Sequence, residues 1–451
     1  MIEKLRFREK FGFGMGVLGQ NLIYGLIVSY LLIYYTDVVL IPTAVTGLLF
    51  LTARIWDAVN DPFMGIIADR TRTKWGRFRP YMLFTPVFIG IITYLVFSVP
   101  DISPGGKVAY IFITYILWGM IYTVGDIPMW SLTSVITRDT GQKTSLIGLI
   151  TVFSLIGMVG TGVLVVPMLG AFGGVGSARA YKMVALIFSI ICTVTMMGIF
   201  FATKERVRPD NNKITVRNNF KVIFKNKPLL LAIASFVIIM SIMTISQAVM
   251  VFFAQYNLNN VGLVPVLTIV MFIPLLAGTA LSGPLSGKFG KKNLFIYSGV
   301  LRVITYVVFF FMGYGNTVVV LVFVAIIGFL MGMPTVLLTA MLADSVVYAQ
   351  WKLGIRSDGL VFSMRTFMSK ISSAIGGGLA ALLLGLYGYV PNAVQSRMAL
   401  DGIFHMNTLL PAAATFLGLI PFLFYDLTDR KVAEITAELE AADAGEVPMN
   451  S

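Results

Sequence analysis

The sequence predicts an all-α polytopic membrane protein with twelve transmembrane helices, arranged as two pseudo-symmetric six-helix bundles. Three observations predict this fold class: an apolar composition, a one-sided distribution of basic residues, and a short loop that occurs twice. The chain has 451 residues, of which 57% are hydrophobic and only 12% charged, and its mean hydropathy is +0.86. Because an ordinary soluble domain carries about 25% charged residues, the composition is typical of a membrane protein.

Apolar runs recur along the chain at the length of about twenty residues that crosses a bilayer as an α-helix. The first run is too long for a signal peptide and lacks a cleavage pattern, so we interpret it as a transmembrane helix. The twelve predicted spans lie at residues 12–35, 43–68, 80–99, 108–136, 145–167, 183–203, 228–254, 262–284, 293–313, 317–341, 362–386 and 405–426.

Basic residues are concentrated on one side of these spans. If residue 1 is cytoplasmic, the cytoplasmic segments hold 26 of the 34 Lys and Arg residues, and the opposite side holds four. This asymmetry follows the positive-inside rule and accounts for the net charge of +13, so no nucleic-acid partner is predicted. We expect a multi-pass protein of the bacterial cytoplasmic (inner) membrane with both termini in the cytoplasm.

A repeated loop divides the chain into halves. "GIIADRTRTKWGRFRP" at residues 65–80 and "GPLSGKFGKKNLF" at residues 283–295 both follow a predicted span and combine an internal Gly with a basic cluster. The two loops start 218 residues apart, close to half the chain, which indicates internal duplication of a six-helix unit. We therefore predict a first bundle at 1–203, a cytoplasmic middle loop at 204–227, a second bundle at 228–426 and a cytoplasmic tail at 427–451.

The second span contains charges that lipid does not tolerate. In "ARIWDAVNDPFMG" (residues 53–65), Asp57 and Asp61 lie on one helix face with Arg54 nearby, and Asn60 lies farther round. Each charge at the membrane centre costs about 2.5–3.5 kcal/mol on insertion scales, so these side chains are expected to face the bundle interior. One reading is a salt-bridged structural cluster. The other is a site for a mobile cation, because one arginine cannot neutralise two carboxylates.

The fourth span supplies a third acid in "YTVGDIPMWSL" (residues 122–132). Thr123 and Trp130 share a helix face with Asp126, and Pro128 loosens the helix between them. A carboxylate beside an indole is suited to a sugar, because the acid accepts hydroxyl protons and the ring covers the apolar C–H face. The alternative is that Trp130 serves only in packing or at the membrane interface.

These segments resemble the glycoside–pentoside–hexuronide:cation symporters of the major facilitator superfamily, the family of the melibiose carrier. The resemblance is carried by "LFLTARIWDAVNDPFMG", "TYILWGMIYTVGDIPMWSL" and "YYTDVV", and it extends over the whole chain in span number and loop position. It implies the major facilitator fold, substrate bound near the midplane and alternating access. It also implies a coupling ion (Na⁺, Li⁺ or H⁺), no other cofactor, no enzymatic activity, and a monomer.

The resemblance further implies specific site residues. The implied cation-binding residues are Asp57, Asp61, Asp126, Thr123, Asn60 and, in the eleventh span, Thr366. The implied substrate-binding residues are Asp126, Trp130, Gln20, Asn21 and Lys370, and a charge network of Arg54, Arg365 and Lys370 accompanies them. The ion, Na⁺ or H⁺, would bind at Asp57 and Asp61.

The chain departs from the family at the sugar site. The Lys-Asp pair of the melibiose carrier appears as Gln20-Asn21, and its sugar-binding arginine falls at or beside Ile150, with no basic residue from Leu146 to Pro167. A neutral glycoside or pentoside is therefore expected rather than melibiose or a uronate. The identity of the sugar and the choice between Na⁺ and H⁺ stay open.

Other functions are weighed against coupled transport. An uncoupled sugar facilitator differs only in whether sugar addition drives cation uptake, and a non-transporting membrane sensor would tolerate neutral aspartates. A membrane enzyme is disfavoured because the chain has no zincin His pair, nucleophile elbow or Walker loop. A single Cys and a single His exclude a disulfide framework and a His-rich metal site.

Two cytoplasmic segments are also interpreted from the sequence. "LADSVVYAQWKLGIRSDG" at residues 342–359 is read as a loop between spans ten and eleven. In the tail, Val432, Ile435 and Leu439 have helical spacing among charges, which indicates a short amphipathic helix; the plainer alternative is a solvated tail without a specific role.

Overall fold

The computed structural model describes residues 5–137, 139–206, 225–353 and 358–443, although some side chains within these ranges are not described. The described residues form α-helices and no strand, apart from one isolated bridge between Thr73 and Gly76. The helices are α1 Phe7–Ile33, α2 Thr43–Arg70, α3 Arg79–Val96, α4 Pro104–Val135, α5 Thr140–Ala171, α6 Ala178–Ala202, α7 Lys227–Phe252, α8 Val264–Phe289, α9 Lys291–Met312, α10 Thr317–Leu353, α11 Asp358–Leu386, α12 Arg397–Asn407, α13 Leu409–Leu423 and α14 Asp429–Asp443.

Among the described residues, eleven helical segments are long and apolar enough to cross a membrane. The segment 397–423 counts as one of them, although Thr408 separates α12 from α13. Within α2, the stretch Thr43–Ala53 is an apolar helix shorter than these segments. Since α2 is 28 residues long, it has the length for the second predicted span, which would bring the number of spans to twelve.

The predicted boundaries differ most from the structure at the tenth and twelfth spans. The tenth span was expected to end at residue 341, but α10 continues to Leu353, so most of the predicted loop 342–359 is helical. Ser345, Val346 and Ala349 are buried along this extension, which gives it an apolar face that a search for continuous apolar runs does not detect. The twelfth span begins at Arg397 rather than at residue 405, because its first turns are polar on one side.

The chain divides into two compact units, which we describe separately. Unit 1 contains residues 1–211 together with 247–268 and 377–400, and unit 2 contains 212–246, 269–376 and 401–451. In unit 1, α1 packs on α5 and α6, and α3 packs on α4 and α6. The division into bundles at 203 and 228 stays a prediction, and most of the predicted middle loop lies outside the described residues.

In unit 2, α9 packs on α10 and α13, and α14 packs on α10. Ile435 of α14 is 2% exposed within the apolar core of this unit, and Val432 and Leu439 pack against it. The Trp351 indole also donates a hydrogen bond to Glu438 (2.7 Å). The amphipathic helix expected in the tail is therefore confirmed, and the alternative of a solvated tail is wrong for residues 429–443.

Each repeated loop is fastened by a carboxylate from a distant segment. Glu205, just after α6, accepts hydrogen bonds of 2.7–3.0 Å from the backbone N–H groups of residues 77–79 at the start of α3. Asp429, at the start of α14, accepts one of 2.7 Å from the backbone N–H of Lys291 at the start of α9. Negative charge at a helix N-terminus is favourable. We call these arrangements the first and second clamps.

Candidate functional site

The polar face of α2 contacts α4 inside unit 1. Asp57 is 5% exposed, and its carboxylate lies against Gly119 of α4, where a Cβ atom would come within 2.8 Å of Oδ1. One turn later on α2, Asp61 accepts a hydrogen bond from the hydroxyl of Thr123 on α4 (3.0 Å). Thr123 is itself buried. The i, i+4 spacing of the two acids therefore aims both of them at the same neighbouring helix.

Asp126 lies three residues after Thr123 on α4 and has different partners. Its Oδ1 accepts hydrogen bonds from the Gln20 amide of α1 (2.9 Å) and from the Trp130 indole N–H (3.1 Å). Gln20 is 2% exposed, whereas Trp130 is 42% exposed, so the indole presents a free surface beside a fixed carboxylate. This is the acid–aromatic pair expected from the i+4 spacing in the sequence.

The chain also departs from the melibiose carrier at Asn21, next to Gln20, and at or beside Ile150 in α5. The Asn21 amide donates to the backbone oxygen of Val17 (2.8 Å), and its oxygen accepts from the Ser154 hydroxyl of α5 (2.9 Å). Asn21 thus joins α1 to α5. Ile150 of α5 is fully buried.

The three aspartates do not form one acidic cluster. Among the described residues, no group of three or more His, Cys, Asp or Glu side chains is arranged to hold a metal ion. Two contacts in unit 1 lie one turn apart along α4: the Thr123 hydroxyl donates to Asp61, and the Gln20 amide and Trp130 indole N–H groups are among the partners of Asp126. The first pair offers the hard oxygen ligands that a small cation prefers, and the second offers hydrogen bonds and an aromatic face.

The remaining predicted site residues are described only in part. The side chains of Arg54, Arg365 and Thr366 lie outside the described residues, although their helices α2 and α11 are described. Lys370 is half-buried and belongs to unit 2. Asn60 is half-buried, and its amide nitrogen has no hydrogen-bond partner.

The sequence reading missed an aromatic row beside this site. On α4, the Trp118 ring stacks on Tyr115 (centroids 6.0 Å apart) and on Tyr122 (4.9 Å), and Tyr122 in turn contacts Tyr24 of α1 (5.8 Å). Tyr24 lies one turn after Gln20 on the same face of α1. The spacing of residues 115, 118 and 122 is the signal that would have revealed the row.

Comparison with known proteins agrees with this architecture. Residues 12–429 match the family described as MFS/sugar transport protein. The chain is 32% identical to the isoprimeverose transporter of Lactiplantibacillus pentosus over 97% of its length and 92% of that protein. It is 31% identical to the glucuronide carrier protein homolog of Escherichia coli strain K12, over 98% of its length and 97% of that protein.

Solved structures show the same fold at low sequence identity. The nucleoside transporter NupG has a TM-score of 0.65 at 14% identity, covering 92% of this chain and 98% of that one. A bacterial homolog of the human lysosomal transporter Spinster has a TM-score of 0.65 at 11% identity, covering 95% and 97%. The predicted all-α major facilitator fold is therefore confirmed.

The chain belongs to the MFS/sugar transport protein family of multi-pass membrane transporters. The resemblance to the glycoside–pentoside–hexuronide:cation symporters, first seen in the motifs of α2 and α4, is confirmed by a match that spans almost all of the chain.

Proposed function

We propose that this protein is a sugar:cation symporter that couples the entry of Na⁺, Li⁺ or H⁺ to the uptake of a neutral glycoside or pentoside by alternating access. The observation that carries the proposal is the arrangement on α4, where Thr123 contacts Asp61 and Asp126 holds Gln20 and Trp130. An oxygen site suited to a cation and a site suited to a sugar thus lie one helical turn apart.

The proposed coupling follows from this proximity. A bound cation would offset the negative charge of the buried acids near Thr123. Because Asp126 and Trp130 lie on α4 together with Thr123, this helix would transmit the effect of cation binding to the proposed sugar site. The protein needs no further cofactor for this cycle and is proposed to act as a monomer in the inner membrane with both termini cytoplasmic. It performs transport rather than catalysis.

The neutral substrate is proposed from the groups around Asp126. Gln20 is a neutral donor where the melibiose carrier has a lysine, and the buried aliphatic Ile150 lies at or beside the position where that carrier has an arginine. At these positions a uronate or sulfonate would meet a neutral amide and an aliphatic side chain. A competition assay with neutral glycosides, pentosides and glucuronides would test this, and preferential inhibition by glucuronides would contradict it.

The coupling proposal is tested by Asp61→Asn in membrane vesicles with imposed Na⁺, Li⁺ or proton gradients. We expect gradient-driven sugar accumulation to fall to background, because the substitution removes the negative charge that attracts the ion. Asp101→Asn is the matched control, since that acid is exposed and only contacts Lys107 (3.0 Å). Normal accumulation in Asp61→Asn would contradict the cation assignment, and sugar uptake that never drives ion uptake would favour an uncoupled facilitator.

A second variant disturbs the site without removing a charge. Gly119→Ala places a methyl group 2.8 Å from the present position of Asp57 Oδ1, so the carboxylate must shift. We expect the concentration of coupling ion needed for half-maximal uptake to rise about tenfold, the equivalent of roughly 1.4 kcal/mol. Gly148→Ala on α5 is the control, because a Cβ atom there meets nothing within 4 Å.

A further inference from the structure

Two helices of unit 1 end in the same unusual way. α1 continues into a π-helical turn at Tyr34–Val38, and α7 continues into one at Phe253–Asn257. Each turn is followed by a non-glycine residue with positive φ, Leu40 (65°) and Asn259 (50°). Corresponding positions are 219 residues apart, close to the spacing of the repeated loops. Single π-turns are frequent at functional sites, and positive φ outside glycine is uncommon.

The two turns meet at a buried carboxylate. Asp37, in the first turn, is 5% exposed. It accepts hydrogen bonds from Tyr256 in the second turn and from Tyr389 after α11, whose hydroxyl lies 2.6 Å from both carboxylate oxygens. Thr36 donates a further bond of 2.6 Å. No described Lys, Arg or His forms a salt bridge with Asp37, so neutral donors alone satisfy its charge.

The contacts extend beyond the carboxylate. The Asn392 amide donates to the backbone oxygen of Asp37, and the Tyr389 hydroxyl lies 3.0 Å from that of Tyr256. Burial and the charge of Asp37 raise the pKa of Tyr389, so the phenol remains protonated and acts as a donor. Segments that follow α1, α7 and α11 are therefore joined through one side chain.

We propose that Asp37, Tyr256, Tyr389 and Asn392 form a latch that closes the extracellular end of the transport pathway and breaks whenever that end opens. The latch rests on the proposed function and orientation, in which the ends of α1, α7 and α11 are extracellular. It joins the first half of the sequence to the second, and alternating access requires such repeats to separate on one side of the substrate.

The choice of neutral donors fits a contact that must break repeatedly. When the latch opens, water replaces the phenols around Asp37, and the hydration of the exposed carboxylate offsets the lost hydrogen bonds. The phenols also become hydrated and carry no charge into the pathway. A buried ion pair would instead release two charges, one of them a cation that would repel an incoming coupling ion.

The latch is tested by labelling a reporter cysteine from outside the cell. Cys192 is the only cysteine and is fully buried, so Cys192→Ala provides the background. Val28→Cys places the reporter on α1, half-buried and one turn after Tyr24, between the candidate site and the latch. Intact cells are treated with a membrane-impermeant maleimide in the absence of sugar, and the labelling rate is compared among latch variants.

Tyr389→Phe and Tyr256→Phe each remove one hydroxyl donor and retain the ring. We expect each to raise the labelling rate about tenfold, since a hydrogen bond to a charged group is worth roughly that factor or more in an open-to-closed ratio. Asp37→Asn should act in the same direction, and combining it with Tyr389→Phe should add little. Tyr297→Phe in unit 2, whose side chain is 53% exposed, is the control and should leave the rate unchanged.

Unchanged labelling in both Tyr→Phe variants would overturn the latch, even if Asp37→Asn failed to fold. Because labelling is measured without sugar, it does not depend on coupling. If the latch variants open the reporter while Asp61→Asn still accumulates sugar normally, the latch stands and the proposed coupling fails. If Asp61→Asn abolishes accumulation but the latch variants label at the control rate, the reverse holds.

Discussion

Both clamps place a carboxylate at the N-terminus of a helix, but the groups that bind the carboxylate differ. In the first, Glu205 binds three consecutive backbone N–H groups, and its charge also interacts with the Arg79 guanidinium. In the second, Asp429 binds one backbone N–H and also the Lys291 ammonium (3.1 Å), which in turn binds Asp344 of α10. The hydrogen bonds of the first clamp therefore all go to one carboxylate from consecutive backbone N–H groups, whereas the second clamp combines one backbone N–H with ion pairs among three charged side chains.

This difference follows from the number of backbone N–H groups that each loop directs towards its carboxylate. The first loop ends in "GRFRP", where Gly76 with φ of 113° turns the chain so that successive N–H groups point to one place. The second loop has Gly290 with φ of 79° at the corresponding turn, but fewer N–H groups reach the acid. Repeated sequences can thus keep an anchoring function while the groups that perform it change.

The largest effect is expected for Glu205→Ala. It leaves three N–H groups at the start of α3 without their acceptor, and we expect the free energy of unfolding to fall by about 3 kcal/mol. Thermal unfolding of the purified protein in detergent measures the loss. Glu205→Gln keeps one acceptor oxygen and should lose about half as much; an equal loss would show that charge rather than hydrogen bonding fastens the loop.

A smaller effect is expected for Lys291→Met, which keeps the side-chain volume and removes the ammonium. Asp344, whose side chain is 14% exposed, loses its basic partner, and we expect a loss of about 2 kcal/mol. The backbone hydrogen bond to Asp429 remains. If Asp344→Asn in the same chain did not restore part of the lost stability, the shared charge would not be what holds the second clamp.

Alanine substitutions at the two loop glycines, Gly76 and Gly290, test how tightly the backbone approaches the carboxylate in each clamp. Gly76→Ala introduces a Cβ atom 2.6 Å from the Glu205 carboxyl carbon, whereas in Gly290→Ala the nearest atom is an Asp429 oxygen at 3.1 Å. Both substitutions strain a positive φ at a cost of about 1 kcal/mol, and displacement of Glu205 should bring Gly76→Ala to about 2 kcal/mol. Equal losses in the two unfolding curves would contradict a tighter first clamp.

The smallest effect is expected for Lys227→Ala. This lysine contacts Asp426 at 3.5 Å, but both side chains are more than 60% exposed. We expect a change within about 0.5 kcal/mol, which makes the variant a control for the loss of a cation near the second clamp. A loss as large as that of Lys291→Met would mean that net charge in this region matters more than the geometry of the clamp.

The fold could be predicted from the sequence because hydropathy, basic residues and the repeated loop all indicate it independently. The Asp126–Trp130 contact could also be predicted, since residues four apart on a helix face each other. Contacts between distant segments could not. Nothing near Glu205 in the sequence points to residues 77–79, and Tyr389 is separated from Asp37 by most of the chain. The continuation of α10 past residue 341 was missed because its apolar face is interrupted by charged residues.

The second clamp also has a consequence for biosynthesis. Glu205 lies two helical hairpins (α3–α4 and α5–α6) after its partner loop. The first clamp can therefore close while the ribosome is still translating the second half of the chain. Lys291 and Asp344 are synthesised long before Asp429, so the second clamp cannot close until α14 has been made. A nascent chain arrested before residue 429 should therefore have the first clamp closed and the second clamp open. Quality-control proteases would be expected to cleave the loop of the open clamp first.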